Sequence, residues 1–125
     1  VVMVHVSHED GGDRLVLNVR GRLDLGLHEE LQRACEEEEG APWRFVVVDL
    51  REATYLDTSG LDMLLMLRKS ASQRGGEVIL RHCSYGVRKV LQITKFQHLF
   101  RIEDSPPSAL LDEVFQPRHR QLHWG

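Results

Sequence analysis

The chain has 125 residues, 42% hydrophobic and 28% charged, with a formal net charge of −3. That length holds one domain with a real core, and a mildly negative chain without a Lys/Arg cluster argues against nucleic-acid binding. No apolar run approaches the ~20 residues of a membrane span and the N-terminus lacks a signal-peptide layout, so a cytoplasmic protein without membrane association is expected.

Val2, Val4 and Val6 alternate with Val1, Met3 and His5, and Leu15, Leu17 and Val19 alternate with Val16, Asn18 and Arg20. Such alternation predicts two strands, and the Glu9–Asp13 cluster between them, with two glycines able to take positive φ, predicts a hairpin turn. Gly21-Arg22-Leu23-Asp24 closes the second strand. Asp24 is placed as the N-cap of a helix whose buried face is Leu27, Leu31, Ala34 and Cys35. Glu36 to Glu39 oppose the helix dipole at its C-terminus, which predicts fraying and a solvated loop through Pro42. An acidic docking surface is the functional alternative for that run.

Phe45-Val46-Val47-Val48-Asp49-Leu50 reads as a strand buried on both faces, as in a parallel sheet covered by helices. The small polar stretch Asp57-Thr58-Ser59-Gly60 follows, and then a helix from about Ser59 to Arg74, stopped by Gly75-Gly76. Leu61, Leu64, Leu65 and Leu67 form its buried arc. Ser59, Asp62, Met66 and Lys69 share one exposed stripe that suits partner docking, although Met66 equally fits the edge of a core. Val78-Ile79-Leu80 is a further buried strand. Val87, Val90, Leu91 and Thr94 mark one face of a helix, and Phe100-Arg101-Ile102 a short edge strand. Ser105-Pro106-Pro107 opens a last helix that docks through Leu110, Leu111, Val114 and Phe115. The expected architecture is α/β: a β-hairpin, then alternating helices and strands, with a mixed, largely parallel four- to five-stranded sheet and about four helices. One domain spans residues 1–116, and residues 117–125 form a loosely held tail.

The residue chemistry does not assemble an enzyme. Asp57 stands where a nucleophile elbow around Ser59 needs its first glycine, and neither a Walker phosphate loop nor G-x-G-x-x-G occurs. His119 and His123 have i, i+4 spacing but no acidic or thiol partner nearby, while His5, His8, His28, His82 and His98 are scattered rim positions. No metal and no other cofactor is expected. Cys35 and Cys83 lack C-x-x-C spacing and sit at apolar positions, which predicts two reduced, buried thiols; His82 and Cys83 are expected on opposite faces of a strand. What remains is a hydroxyl pair at a helix start, where free N–H groups and the dipole favour negative charge. Ser59 is the candidate carrier of a phosphate, with Thr58 the second choice. Ordinary helix capping is the competing reading of the same residues.

Asp57-Thr58-Ser59-Gly60-Leu61 after Val46-Val47-Val48-Asp49-Leu50, with Gly21-Arg22-Leu23-Asp24 upstream, resembles the STAS family of anti-sigma factor antagonists, the SpoIIAA-like proteins, over about residues 2 to 115. The likeness continues through Tyr55-Leu56, Met63-Leu64-Leu65, Val87-Arg88-Lys89-Val90-Leu91 and Phe96…Leu99-Phe100. These stretches are similar to single-domain antagonists of proteobacterial partner-switching systems. The resemblance implies a STAS fold and a protein that cycles between partners. An anti-sigma factor, often a GHKL-type serine kinase, binds the unphosphorylated form and phosphorylates Ser59, and a PP2C-type phosphatase restores it. Asp24, Asp57, Thr58 and Gly60 match family positions near that serine. With Leu61, Asp62, Met66 and Lys69 they make up the expected partner-binding surface. Asp62 stands where close relatives tend to have glycine, adding a negative charge within a turn of Ser59. A non-cycling STAS scaffold or transport-accessory domain is the alternative.

Overall fold

The computed structural model describes residues 3–38 and 40–103. Met3–Glu9 (β1) and Arg14–Leu23 (β2) form the antiparallel hairpin that their alternation predicts, in register from Met3↔Arg20 to Glu9↔Arg14. Its turn holds Asp10, Gly11 and Gly12 at φ of 54°, 67° and 100°, a region that glycine enters freely and aspartate tolerates.

β2 is the spine of the sheet. Its first half pairs in parallel with Phe45–Asp49 (β3); after a register shift between Gly21 and Arg22, its second half pairs in parallel with Ala53–Leu56 (β4). Glu77–Arg81 (β5) lies beside β3 and Arg101–Glu103 (β6) beside β5, both parallel. The order is β1-β2-β3-β5-β6, with β4 on the extension of β2. Six strands among the described residues thus replace the expected four or five, while the sheet is mixed, as expected. The unforeseen strand is β4, whose Ala53 and Leu56 are buried and Thr54 and Tyr55 exposed. That pattern carries no period of two, so pairing with β2 makes it a strand.

Leu25–Glu37 (α1), Thr58–Gln73 (α2) and Tyr85–Thr94 (α3) are the three α-helices among the described residues. Strands added in one direction through right-handed crossovers put all three on the same face of the sheet. Leu15, Leu17, Val46, Val48, Val78 and Leu80 meet Leu27, Leu31, Leu64, Leu67, Val87 and Leu91 there in one apolar cluster. The fourth helix expected from Ser105 and the tail beyond residue 116 lie outside the described residues.

Four local expectations are corrected. In α2, Met63 is buried while Leu65 is only half-buried, because Gly60 and Ala71 let the helix settle on a face running through residues 60, 63, 64, 67 and 71. The acidic end of α1 does not simply fray into solvent. The Glu38 carbonyl accepts from Trp43 Nε1 at 2.8 Å, and its carboxylate lies 2.8 Å from His8 Nε2. Cys83 is not on a strand: β5 ends at Arg81, and His82 turns the chain at φ 57°. Cys83 is buried as expected, but Cys35 is only half-buried. Burial, with the nearby Glu36 carboxylate, still pushes the Cys35 thiol up to about 11, so it stays protonated.

The other face of the sheet carries a short apolar row, Val16, Val47 and Ile79, each no more than 1% exposed. Register puts Glu9, Arg14, Asp49, Arg81 and Glu103 on this face as well. Arg81 donates to both Glu9 oxygens at 3.0 and 3.2 Å and lies 3.5 Å from Asp49, while Arg14 lies 3.5 Å from Glu103. These pairs tie β1 to β5 and β2 to β6. The Arg81 hydrogen bonds hold the Glu9 carboxyl below its ordinary value of 4.5. A lowered acid adds stability that is complete above its ordinary value and is lost as pH falls through the lowered one. The Glu9 side chain is 42% exposed, so solvent screening leaves less than about 1 kcal/mol. Glu9→Gln is therefore expected to lower Tm at pH 7 by roughly 2 °C. It should also flatten the fall of Tm below pH 4.5, followed by thermal melts; an unchanged acid slope would contradict this.

Candidate functional site

β2 and β4 end side by side, with Leu23 opposite Leu56. Each then hands over to a helix through an aspartate. Asp24 Oδ1 accepts from Gly26 N at 3.0 Å and starts α1; Asp57 Oδ1 accepts from Gly60 N at 3.0 Å and starts α2. Two capped helix N-termini therefore open at one end of the sheet: the first as Asp24 predicts, the second one residue earlier than the expected start at Ser59. The Asp57 amide donates to Leu23 O at 3.3 Å, which ties the second cap to the end of β2.

With Asp57 as the cap, Thr58, Ser59 and Gly60 are the first three helical residues. The Asp57 carboxylate takes the amide of Gly60, and its carbonyl accepts from Leu61 N at 2.9 Å. The amides of Thr58 and Ser59 and the Ser59 hydroxyl have no protein partner among the described residues. Thr58 is exposed and Ser59 half-buried. A negative group on Ser59 would meet those amides and the positive end of the dipole. It would also stand near the carboxylates of Asp57 and, one turn on, Asp62.

The exposed stripe continues along α2 through Asp62, Met66 and Lys69, with Met66 38% exposed. Gly60 and Leu61 do not belong to that surface. Leu61 is 7% exposed, and Gly60 is buried with no room for a side chain. A Cβ on residue 60 would sit 2.4 Å from Leu23 O and 2.6 Å from Leu56 Cδ1. Both residues pack inward, and Gly60 sets the depth of the helix.

Sequence reasoning gave Tyr55 and Arg22 no place in the site. Tyr55 is 40% exposed, and the Arg22 guanidinium lies 4.3 Å over its ring. An aromatic followed by an aliphatic just before the capping aspartate was the available signal. Among the described residues, no three His, Cys, Asp or Glu side chains converge on a metal position, and His119 and His123 fall outside those residues. None of the described helices is long and apolar enough to cross a membrane.

The closeness of residue 60 to β2 yields a direct test. Gly60→Ala would gain about 1 kcal/mol of helix propensity but must push a backbone carbonyl aside, which costs more. A net loss of about 2 kcal/mol, or roughly 5–10 °C in Tm, is expected by calorimetry. Stabilisation by this substitution would show that α2 does not sit so near β2.

Comparison with known proteins follows the same lines. The family model for the STAS domain matches residues 4–109. A STAS-domain containing protein of Pseudomonas aeruginosa (strain UCBPP-PA14) is 45% identical over 91 residues, 73% of this chain and 89% of that protein. BtrV of Bordetella bronchiseptica, which carries the name of an anti-sigma factor antagonist, is 27% identical over 95 residues, 76% of this chain and 82% of that protein. The solved structure of the anti-sigma factor antagonist SpoIIAA in its unphosphorylated form matches with a TM-score of 0.71 at 18% identity, covering 90% of this chain and 96% of that one. Its phosphorylated form matches at 0.65 and 19% identity, covering 90% and 99%. At such identities the structural likeness is one of fold. The long family match and the Pseudomonas relative go further: this chain belongs to the STAS-domain family, with a fold like that of its anti-sigma factor antagonists.

Proposed function

We propose that the protein is an anti-sigma factor antagonist that works as a phosphorylation-controlled interaction domain. Unmodified, it binds an anti-sigma factor, a switch protein that is also a GHKL-type serine kinase. Phosphorylation of Ser59 releases it, and a PP2C-type phosphatase returns it to the binding form. The observation that carries this reading is the Ser59 hydroxyl. Ser59 is half-buried at the second position of α2, its hydroxyl without a protein partner among the described residues, on the stripe that continues through Asp62 and Met66. The antagonist name of the Bordetella relative supports it.

A phosphate adds about −1.5 to −2 charges and strong acceptor oxygens. Inside the molecule it meets the free amides of Thr58 and Ser59, so the fold tolerates it. Beneath a partner it becomes a desolvated charge beside Asp57 and Asp62. A hundredfold loss of affinity needs only ~2.7 kcal/mol, within the cost of one buried, uncompensated charge. Asp62 adds to the repulsion and sharpens the release.

Ser59→Ala is expected to bind the switch kinase and to take up no phosphate at this position. Ser59→Asp is expected to bind about a hundredfold more weakly while its Tm stays within about 2 °C of the parent. Isothermal calorimetry with the kinase, thermal melts, and phosphosite mass spectrometry after incubation with ATP would measure these. Full binding by Ser59→Asp together with an unmodified Ser59 would leave a non-cycling scaffold or transport-accessory domain. A sharp drop in Tm with binding intact would contradict the mechanism.

A further inference from the structure

The chain has a net charge of −3, yet its charges are unevenly spread. Between Glu77 and Glu103 there is no acidic residue, while Arg81, Arg88, Lys89, Lys95 and Arg101 all fall there. Two of these cations turn to carboxylates of the sheet: Arg81 to Glu9 and Asp49, Arg101 to Glu77 and Glu103. Lys89 and Lys95 have no carboxylate partner among the described residues. Lys89 stands on α3, and Lys95 is the left-handed residue that ends it.

The outer face of α3 is also unusually apolar. Val87 and Leu91 are buried, so the inner face of the helix is taken up by the core. On the outer face, Tyr85 and Ile93 are 76% and 73% exposed, the highest values among the described large hydrophobic residues. Tyr85, Lys89 and Ile93 follow at intervals of four and form one stripe. Lys89 Nζ donates to the Tyr85 hydroxyl at 3.3 Å and lies 5.5 Å from the ring centre. A lone exposed apolar residue is ordinary. Two of this size on a stripe about 12 Å long, with cations at its edge, have the layout of a protein interface.

This face adjoins the start of α2. Ser84 caps α3 and donates from Oγ to Ala53 O at 2.8 Å, and a Cβ on Gly86 would lie 3.3 Å from Thr54 O. α3 therefore starts against β4, the strand that carries the exposed Tyr55 and runs through Asp57 into α2. The two helices carry opposite charges: Asp57 and Asp62 at the start of α2, Lys89 and Lys95 along α3.

We infer that the outer face of α3 takes an acidic segment of the protein partner that covers Ser59, with apolar side chains on Tyr85 and Ile93 and carboxylates on Lys89 and Lys95. This rests on the reading of the protein as a partner-binding antagonist, and it supplies the chemistry of a partner element which that reading leaves open. A membrane fits less well, because Val87 and Leu91, the apolar side of α3, face the core and not the surroundings. Two poles of opposite charge on one surface fix the orientation of a partner, since the reversed pose would set like charges together.

The probe is a pair of synthetic helical peptides of about 16 residues, with identical leucines at i, i+4 and i+7 and either glutamates or lysines on the flanks. Each is titrated into the isotope-labelled full chain and followed by amide chemical shifts. The glutamate peptide should move Tyr85, Lys89, Ile93 and Lys95. It should bind about tenfold more weakly to a Lys89→Gln, Lys95→Gln double variant and to Ile93→Ser. Equal binding of both peptides, shifts centred elsewhere, full binding by the double variant, or no shift at about 1 mM peptide would overturn the inference. So would α3 amides that respond to phosphatidylserine vesicles and ignore the peptide. Kinase binding that falls in Ser59→Asp but not in the double lysine variant would remove the α3 contact and leave the switch standing. A fall in the lysine variant with a Ser59 that the kinase ignores would do the reverse.

Discussion

A Cβ placed on residue 60 would lie 2.4 Å from the carbonyl oxygen of Leu23, and that close approach decides where α2 begins. Because residue 60 is glycine, the first turn of the helix rests directly on the end of β2. The same carbonyl accepts from the Asp57 amide, so the capping residue is held from below as well as by its own side chain. Ser59 is therefore the neighbour of a buried residue packed against the end of β2. On the proposed function, its hydroxyl would change charge on a closely packed platform.

The chemistry of the site comes from two environments that treat the same charge in opposite ways. Toward the protein, unfilled amides and the helix dipole welcome an anion. Beneath the proposed partner, Asp57 and Asp62 would make an added anion expensive once water is excluded. The ion pairs lie on the face of the sheet opposite the helices. They join β1 to β5 and β2 to β6 through Glu9–Arg81 and Arg14–Glu103, and so brace the scaffold that presents α2. On the proposed function, a phosphate on Ser59 would act at the start of α2, where Asp57 also caps the helix, while these pairs brace the sheet.

Much of this was legible in the chain because burial imposes periods. The alternation of Leu15, Leu17 and Val19 named β2, the unbroken Val46-Val47-Val48 named β3, Asp24 marked the start of α1, and the polar Asp57–Gly60 stretch the start of α2. What escaped was fixed by contacts distant in sequence. β4 has no hydrophobic period, and backbone pairing with β2 beyond a register shift makes it a strand. Glu38 looked like a frayed end until Trp43, five residues on, donated to its carbonyl. Gly60 matched a motif but gave no hint that its missing side chain was a packing requirement, since the obstructing atoms belong to Leu23 and Leu56. The Tyr55–Arg22 stack exists only once separate elements are brought together.

The central claim is that Ser59 can carry a phosphate that the folded domain accepts through local amides. The most direct measurement is the amide spectrum of the protein with phosphoserine installed at position 59 during synthesis, recorded as pH crosses the second phosphate ionisation near about 6. The account predicts that the Thr58 and Ser59 amides shift downfield with that ionisation while those of Leu15–Val19 and Val46–Val48 stay where they are. Shifts spread through the sheet, or Thr58 and Ser59 amides indifferent to the phosphate charge, would contradict it.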